Sequence, residues 1–260
     1  MSNLENLLRY RELLYLFAWR DIRVRYKQSV MGVLWAVFMP ALVVGAGVLV
    51  RVAASKWSGK PVTPEDLGSV VVRAVAWSFF VSSVRFGTNS LTTNANLVTK
   101  IAFPKELFPV SAVLSSLFDF VVAGIVALIV LPLFGLHFTW QALWALPLMV
   151  LMVLLATGAA LILSALNLFF RDVKYLVEIF LTYAIFFTPV LYPASILGRW
   201  QSLVLLNPIS PLLEAVSSTL VSGTAPNAFW TSYSALFSAV LLVFSYWLFK
   251  QLETAFAERI

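Results

Sequence analysis

One carboxylate, Asp119, stands about eleven residues into an apolar run at 108–136, or roughly 16 Å along a helix at 1.5 Å per residue. An unpaired charge at that depth costs about 3 kcal/mol on insertion scales. Asp119 must therefore pair, hold a proton or face water. Two roles are open to it: a hydrogen-bonded member of a helix bundle, or part of the lining of a path for a polar substrate. Arg73 and Arg85 are the candidate partners, and the sequence does not rank them. The other carboxylates, Glu178 and Glu214, lie nearer the ends of apolar runs, and Arg171-Asp172 with Lys174 makes a charged hinge. These suit the anchoring of helix ends better than an acid–base pair.

A second concentration of charge lies at the amino terminus. At 100° per residue, Glu5, Arg9, Glu12, Arg20, Arg23 and Lys27 share one face of residues 2–29, with Leu4, Leu7, Leu14, Ala18 and Ile22 roughly opposite. That pattern predicts an amphipathic helix in the head-group plane, its basic face toward water and phosphate. Aromatic residues form a third group. Trp35, Phe38, Trp77, Phe79, Phe80, Tyr183, Phe186 and Phe187 could stack on the C–H faces of sugars, or simply pack within a bundle and at its interfaces.

Catalytic motifs are missing. The only Gly-Lys pair, Gly59-Lys60, is followed by Pro61, with Ala54 where a phosphate-binding loop needs its first glycine. Neither H-E-x-x-H nor G-x-S-x-G occurs, nor a paired acidic motif that would hold a nucleotide-sugar metal. No catalytic or metal-ligating residue is assigned, and any energy source is expected on another chain. There is no cysteine and one histidine, His137, which excludes disulfides, iron–sulfur ligation and His-rich metal sites.

The elements that carry these residues follow from hydropathy. Of 260 residues, 61% are hydrophobic and 12% charged, against roughly 45–50% and about 25% in soluble domains. The apolar residues fall into six blocks, 30–52, 67–84, 108–136, 143–170, 176–192 and 229–249. Each is about as long as the roughly 17–25 residues of a membrane helix, and two are longer, which implies tilt or extension beyond the hydrocarbon. The expectation is an all-α membrane protein with six crossings and both termini on one side.

Positive charge gives the side. Arg9, Arg11, Arg20, Arg23, Arg25, Lys27, Lys100, Lys105, Arg171, Lys174, Lys250 and Arg259 fall on the side of the termini. Arg51, Lys56, Lys60 and Arg199 fall on the other. Both termini are thus expected in the cytoplasm. Residues 1–8 lack the basic and apolar regions of a cleaved signal, so the amino terminus is expected to be retained. The net charge of +6 is placed at membrane ends, where it meets anionic lipid head groups rather than nucleic acid.

The expected organisation is an interfacial helix at 1–29 and a membrane domain at 30–260. Within it, 93–105 is a polar cytoplasmic segment of about two helical turns, suited to docking a soluble partner or serving as a plain loop. Residues 193–227 form an outside connection, too apolar for disorder, that reads as short helices dipping back into the outer leaflet, as a gate or a cap.

Five stretches together resemble the type-2 ABC-transporter permeases that export O-antigen, capsule, teichoic acid and related polymers. They are RDIRVRYKQSVMGVLW at 20–35, NLVTKIAFPKE at 96–106, NLFFRDV at 167–173, TPVLYP at 188–193 and LNP at 206–208. The resemblance covers nearly the whole chain, in the family's order and spacing. It implies a homodimer of six-helix subunits in a bacterial inner membrane, joined to two copies of a separate ATPase that holds ATP and Mg, with no cofactor on this chain. The amino-terminal helix would be interfacial. The 93–105 segment would be the coupling helix, with Asn96, Leu97, Lys100, Ile101 and Phe103 toward the ATPase, and re-entrant helices would gate the exit. The cargo would be a glycan on a polyprenyl pyrophosphate, with Arg20, Arg23, Arg25 and Lys27 as charge-assisted donors to the pyrophosphate. Trp35, Phe38, Trp77, Phe80, Asp119, Tyr183 and Phe187 would line its path. Two alternatives remain: a type-2 exporter of drugs or free lipids, and a membrane glycosyltransferase or polymerase.

Overall fold

The structure, a computed structural model, describes residues 10–27, 29–59, 61–100 and 103–256. Ten α-helices follow one another among them: α1 (Arg11–Tyr26), α2 (Trp35–Ser58), α3 (Pro64–Thr93), α4 (Ala95–Lys100), α5 (Leu107–Leu133), α6 (Ala145–Phe169), α7 (Val173–Phe187), α8 (Gln201–Leu205), α9 (Ile209–Leu220) and α10 (Ala228–Glu253). Short 3-10 turns lead into α2, α6 and α8. No strand occurs among the described residues.

Local chemistry sets several of the ends. The Thr63 hydroxyl accepts from the Asp66 amide and the Asp66 carboxylate accepts from the Thr63 amide, a reciprocal cap that starts α3 just ahead of Pro64. Asn227 caps α10 through the Trp230 amide. Gly59, at φ 68°, closes α2 in the left-handed region where a side chain would be strained.

Five of the helical stretches are long and apolar enough to cross a membrane, spanning Gly32–Ala53, Pro64–Thr93, Leu107–Leu133, Trp140–Phe169 and Ala228–Glu253. The six blocks expected from hydropathy thus become five full-length helices among the described residues. The exception is 176–192. There α7 has only 15 residues, about 22 Å at 1.5 Å per residue against a hydrocarbon core of about 30 Å. Thr188 ends it in an extended conformation (φ −119°, ψ 141°). The physical reason is the next residue: proline disfavours helical geometry in the residue before it.

Helix α3 is the hub. It packs along α5 and α6, with α2 and α9 against its other sides, while α10 lies along α6. Small residues permit these approaches. A Cβ at Gly87 would stand 2.4 Å from that of Ala160, and one at Gly158 would stand 3.2 Å from the Leu242 backbone nitrogen. The core runs through Ala76, Phe79, Met152, Ala156, Ala160, Leu212 and Leu213. Helix α9 is almost wholly buried from Ile209 to Thr219. Asn167, itself buried, donates to the Thr88 carbonyl at 3.0 Å and accepts from the Lys174 amide at 3.2 Å, tying the α6–α7 turn to the end of α3.

Candidate functional site

Helix α1 runs beside the first half of α5 and meets it in successive steps. Phe17 stacks on Phe108 with ring centroids 5.1 Å apart. The Ser111 hydroxyl lies 3.5 Å from an Asp21 carboxylate oxygen, and the Arg25 guanidinium donates to Ser115 at 3.2 Å. At the last step Arg25 forms an ion pair with Asp119, and the Tyr26 hydroxyl donates to the other oxygen of the same carboxylate. Residues 17, 21 and 25 share one helical face, as do 108, 111, 115 and 119, so each helix presents a single ridge to the other.

The partner of Asp119 is therefore on the amino-terminal helix. Arg85 instead forms two hydrogen bonds, of 2.6 and 2.8 Å, with Glu178 on α7, and Arg73 faces Glu214 on α9 at 3.8 Å. The Arg25 guanidinium also lies 4.0 Å above the Phe86 ring, a cation–π contact to α3. Burial, and then the hydrogen bond to and charge of Asp119, push the Tyr26 hydroxyl well above its ordinary ionisation range, so it remains a donor.

These groups form one wall of a cavity of about 370 Å³ between α1, α2, α3 and α5. Trp35, Met39 and Pro40 contribute from α2, Trp77, Phe79, Arg85 and Phe86 from α3, and Ser116, Asp119 and Phe120 from α5. Flat aromatic faces beside paired charges can bind an amphiphile or a polyhydroxyl chain by stacking and hydrogen bonding.

Of the residues expected to line a path, Trp35, Trp77 and Asp119 reach this cavity. Phe38 stands against Trp35 edge to face at 5.4 Å, outside the lining. Phe80 turns toward the core beside Trp77. Tyr183 and Phe187 lie on the outer surface of α7, the latter 73% exposed. Tyr26, Phe86 and Phe120 were not anticipated, although Tyr26 adjoins the arginine that pairs with Asp119.

The basic set on α1 also divides. Arg25 turns inward to Asp119, and Arg20 pairs with its neighbour Asp21 at 2.8 Å. Arg23 and Lys27 are exposed, Arg23 over the Trp19 ring.

The ABC-2 type transporter profile matches residues 12–221, which takes in α1, the cavity and the helices through α9. The chain belongs to the ABC-2 type transporter family. It is similar to the O-antigen export system permease protein RfbA of Myxococcus xanthus, 31% identical over 98% of this chain and 97% of that protein. Two RfbA permeases of Klebsiella pneumoniae are 26% and 25% identical, each over 95% of this chain and 94% of the relative. This ABC-2 chain is accordingly a multi-pass membrane transporter subunit.

In the ABC-2 chain the polar segment after α3 forms the short helix α4, which follows Asn94. The Asn94 side chain donates to the Ser90 carbonyl at 2.8 Å and its backbone carbonyl accepts from Leu97 and Val98. Asn96, Thr99 and Lys100 are exposed, while Val98 is buried and Leu97 packs beside it. Phe103 also points inward, between Phe17 and Phe108 at 5.8 and 5.4 Å. Ile101 lies outside the described residues.

Behind α4, the carboxyl end of α10 grips the chain. Lys250 reaches Glu106 and Glu253 at 2.8 Å each, and Glu253 also accepts from the Lys105 amide at 3.1 Å. Glu106 is only 2% exposed, a buried carboxylate that sequence reading treated merely as part of a motif. Burial lowers the Lys105 ammonium from its ordinary range, against the opposing charge of Glu253.

Proposed function

We propose that this chain is the membrane subunit of an ABC exporter that moves a polyprenyl-pyrophosphate-linked polysaccharide of the O-antigen type across the bacterial inner membrane. The observation that carries the proposal is the match to three O-antigen export permeases over nearly the full length of each partner. An aromatic cavity that also holds charged groups supports a glycan over a wholly apolar drug. That is the reason to prefer it over the drug or free-lipid alternative.

In this reading two copies of the chain assemble with two cytoplasmic ATPases, which bind ATP and Mg and drive the membrane halves. Helix α7 and the 188–192 turn together make the short fifth of six crossings, leaving both termini in the cytoplasm. Helix α1 lies at the inner interface with its far end leaning on α5, and Arg23 and Lys27, both exposed, first meet the pyrophosphate. Helix α4 is the coupling helix, presenting Asn96 and Lys100 to the ATPase. The α8–α9 region is the outer gate.

Deletion of the gene in its host tests the function. Loss of surface polysaccharide with lipid-linked polymer accumulating inside, restored by the gene on a plasmid, is the expected outcome. Unchanged surface polysaccharide would remove the proposal.

A further inference from the structure

A second cavity, of about 250 Å³, lies at the other end of the molecule from α4, between α8, α9 and the start of α10. Beside Leu205, Pro211 and two alanines, its lining carries one indole and several hydrogen-bonding side chains: Trp230, Gln201, Glu214, Ser218, Asn227 and Thr231. Several of these groups have no partner among the described residues. Gln201 and Thr231 make no side-chain hydrogen bond, and Asn227 uses its carbonyl oxygen on the Trp230 amide but leaves its NH₂ group open. Glu214 spends one oxygen on the Ala194 amide at 2.8 Å and on Arg73, leaving the second open.

The chemistry of the lining narrows the occupant. No Lys, Arg or His lines it to pair with a phosphate or another anion. Its one carboxylate, Glu214, is already paired with Arg73, which weakens the case for a cation. An acyl chain would leave the amide, hydroxyl and carboxylate groups without partners. The contrast is the groove of about 540 Å³ beside α5 and α6, lined by Val, Leu, Ile, Phe and Met. A neutral polyhydroxyl ring satisfies both halves of the smaller cavity, its C–H face against Trp230 and its hydroxyls toward Gln201, Glu214, Asn227 and Thr231.

We infer that this cavity is a saccharide subsite that holds one pyranose unit of the polymer at the outer face. The inference rests on the export reading above for its direction and cargo. Because Glu214 also holds Arg73 of α3 and the Ala194 amide, a sugar on its open oxygen would act on the same carboxylate that ties α9 to the hub helix.

The test uses the full-length chain in lipid nanodiscs with the methyl α-pyranosides of glucose, galactose, mannose and rhamnose as probes. Saturation-transfer NMR should show transfer to the ring protons of at least one, above that of empty nanodiscs. Trp230→Ala and Gln201→Ala should each weaken it about fivefold, the effect of losing one net hydrogen bond or stacking contact. Trp247→Ala, on the far end of α10, should leave it unchanged. Absence of transfer above empty nanodiscs for all four sugars, or equal transfer in both cavity variants, overturns the subsite. The two ideas fail separately: normal export with no sugar binding removes only the subsite, and sugar binding in a chain whose deletion leaves surface polysaccharide intact removes only the export reading.

Discussion

Arg25 at the end of α1 and Asp119 in the middle of α5 form an ion pair across 94 positions of sequence, with Tyr26 on the second carboxylate oxygen. Removing one partner strands the other in a partly buried setting, which typically costs 3–5 kcal/mol for a buried pair. Both side chains keep 18% exposure here, so the cost of Asp119→Ala should fall at the lower end, about 3 kcal/mol. Tyr26→Phe, which removes one hydrogen bond, should cost about 1 kcal/mol. Thermal unfolding of the purified chain measures both. The exchanged pair Arg25→Asp with Asp119→Arg should recover part of the loss, and no recovery would argue against a direct pair.

The Lys250–Glu106–Glu253 cluster should matter for coupling as well as for stability. Glu106→Gln keeps the shape but removes the charge that Lys250 faces, and α4 then loses its fixed backing. With the partner ATPase present, ATP hydrolysis should persist while export per ATP falls severalfold. Export per ATP equal to that of the unaltered chain would show that the cluster only holds the helices together.

Because the chain has no cysteine, every introduced one is a unique label. Ser202→Cys and Thr224→Cys should react with a membrane-impermeant maleimide added to intact spheroplasts. Thr99→Cys should react only after permeabilisation. Labelling of Thr99→Cys from outside would overturn the orientation.

Lys100 is exposed on α4. Lys100→Glu should uncouple ATP hydrolysis from export while leaving the membrane fold intact, as checked by unchanged thermal unfolding. Unaltered export in that variant would count against α4 as the coupling helix.

Much of the framework was legible because it is local. Hydropathy located the long helices, and the polar run at 93–105 contains the short helix α4. The break at Thr188 was also written in the sequence, since Pro189 follows it, but a hydropathy block running to 192 smooths over a single residue. What stayed hidden was pairing between distant elements. Asp119 was weighed only against arginines inside an apolar block or at its margin, because α1 was taken to lie apart from the bundle. Helical spacing could align 17, 21 and 25 on one face, yet nothing local says that this face meets α5. The same limit applies to Arg85 with Glu178 and Arg73 with Glu214, and to Tyr183 and Phe187, whose aromatic type does not reveal which way α7 turns.

The most direct measurement is ATP-driven movement of lipid-linked polysaccharide in proteoliposomes that contain the chain and its partner ATPase. The polymer should become accessible to a glycosidase confined to the compartment opposite the ATPases, only with hydrolysable ATP and only with both proteins present. Glycosidase access that is the same without ATP, or without this chain, would contradict the account.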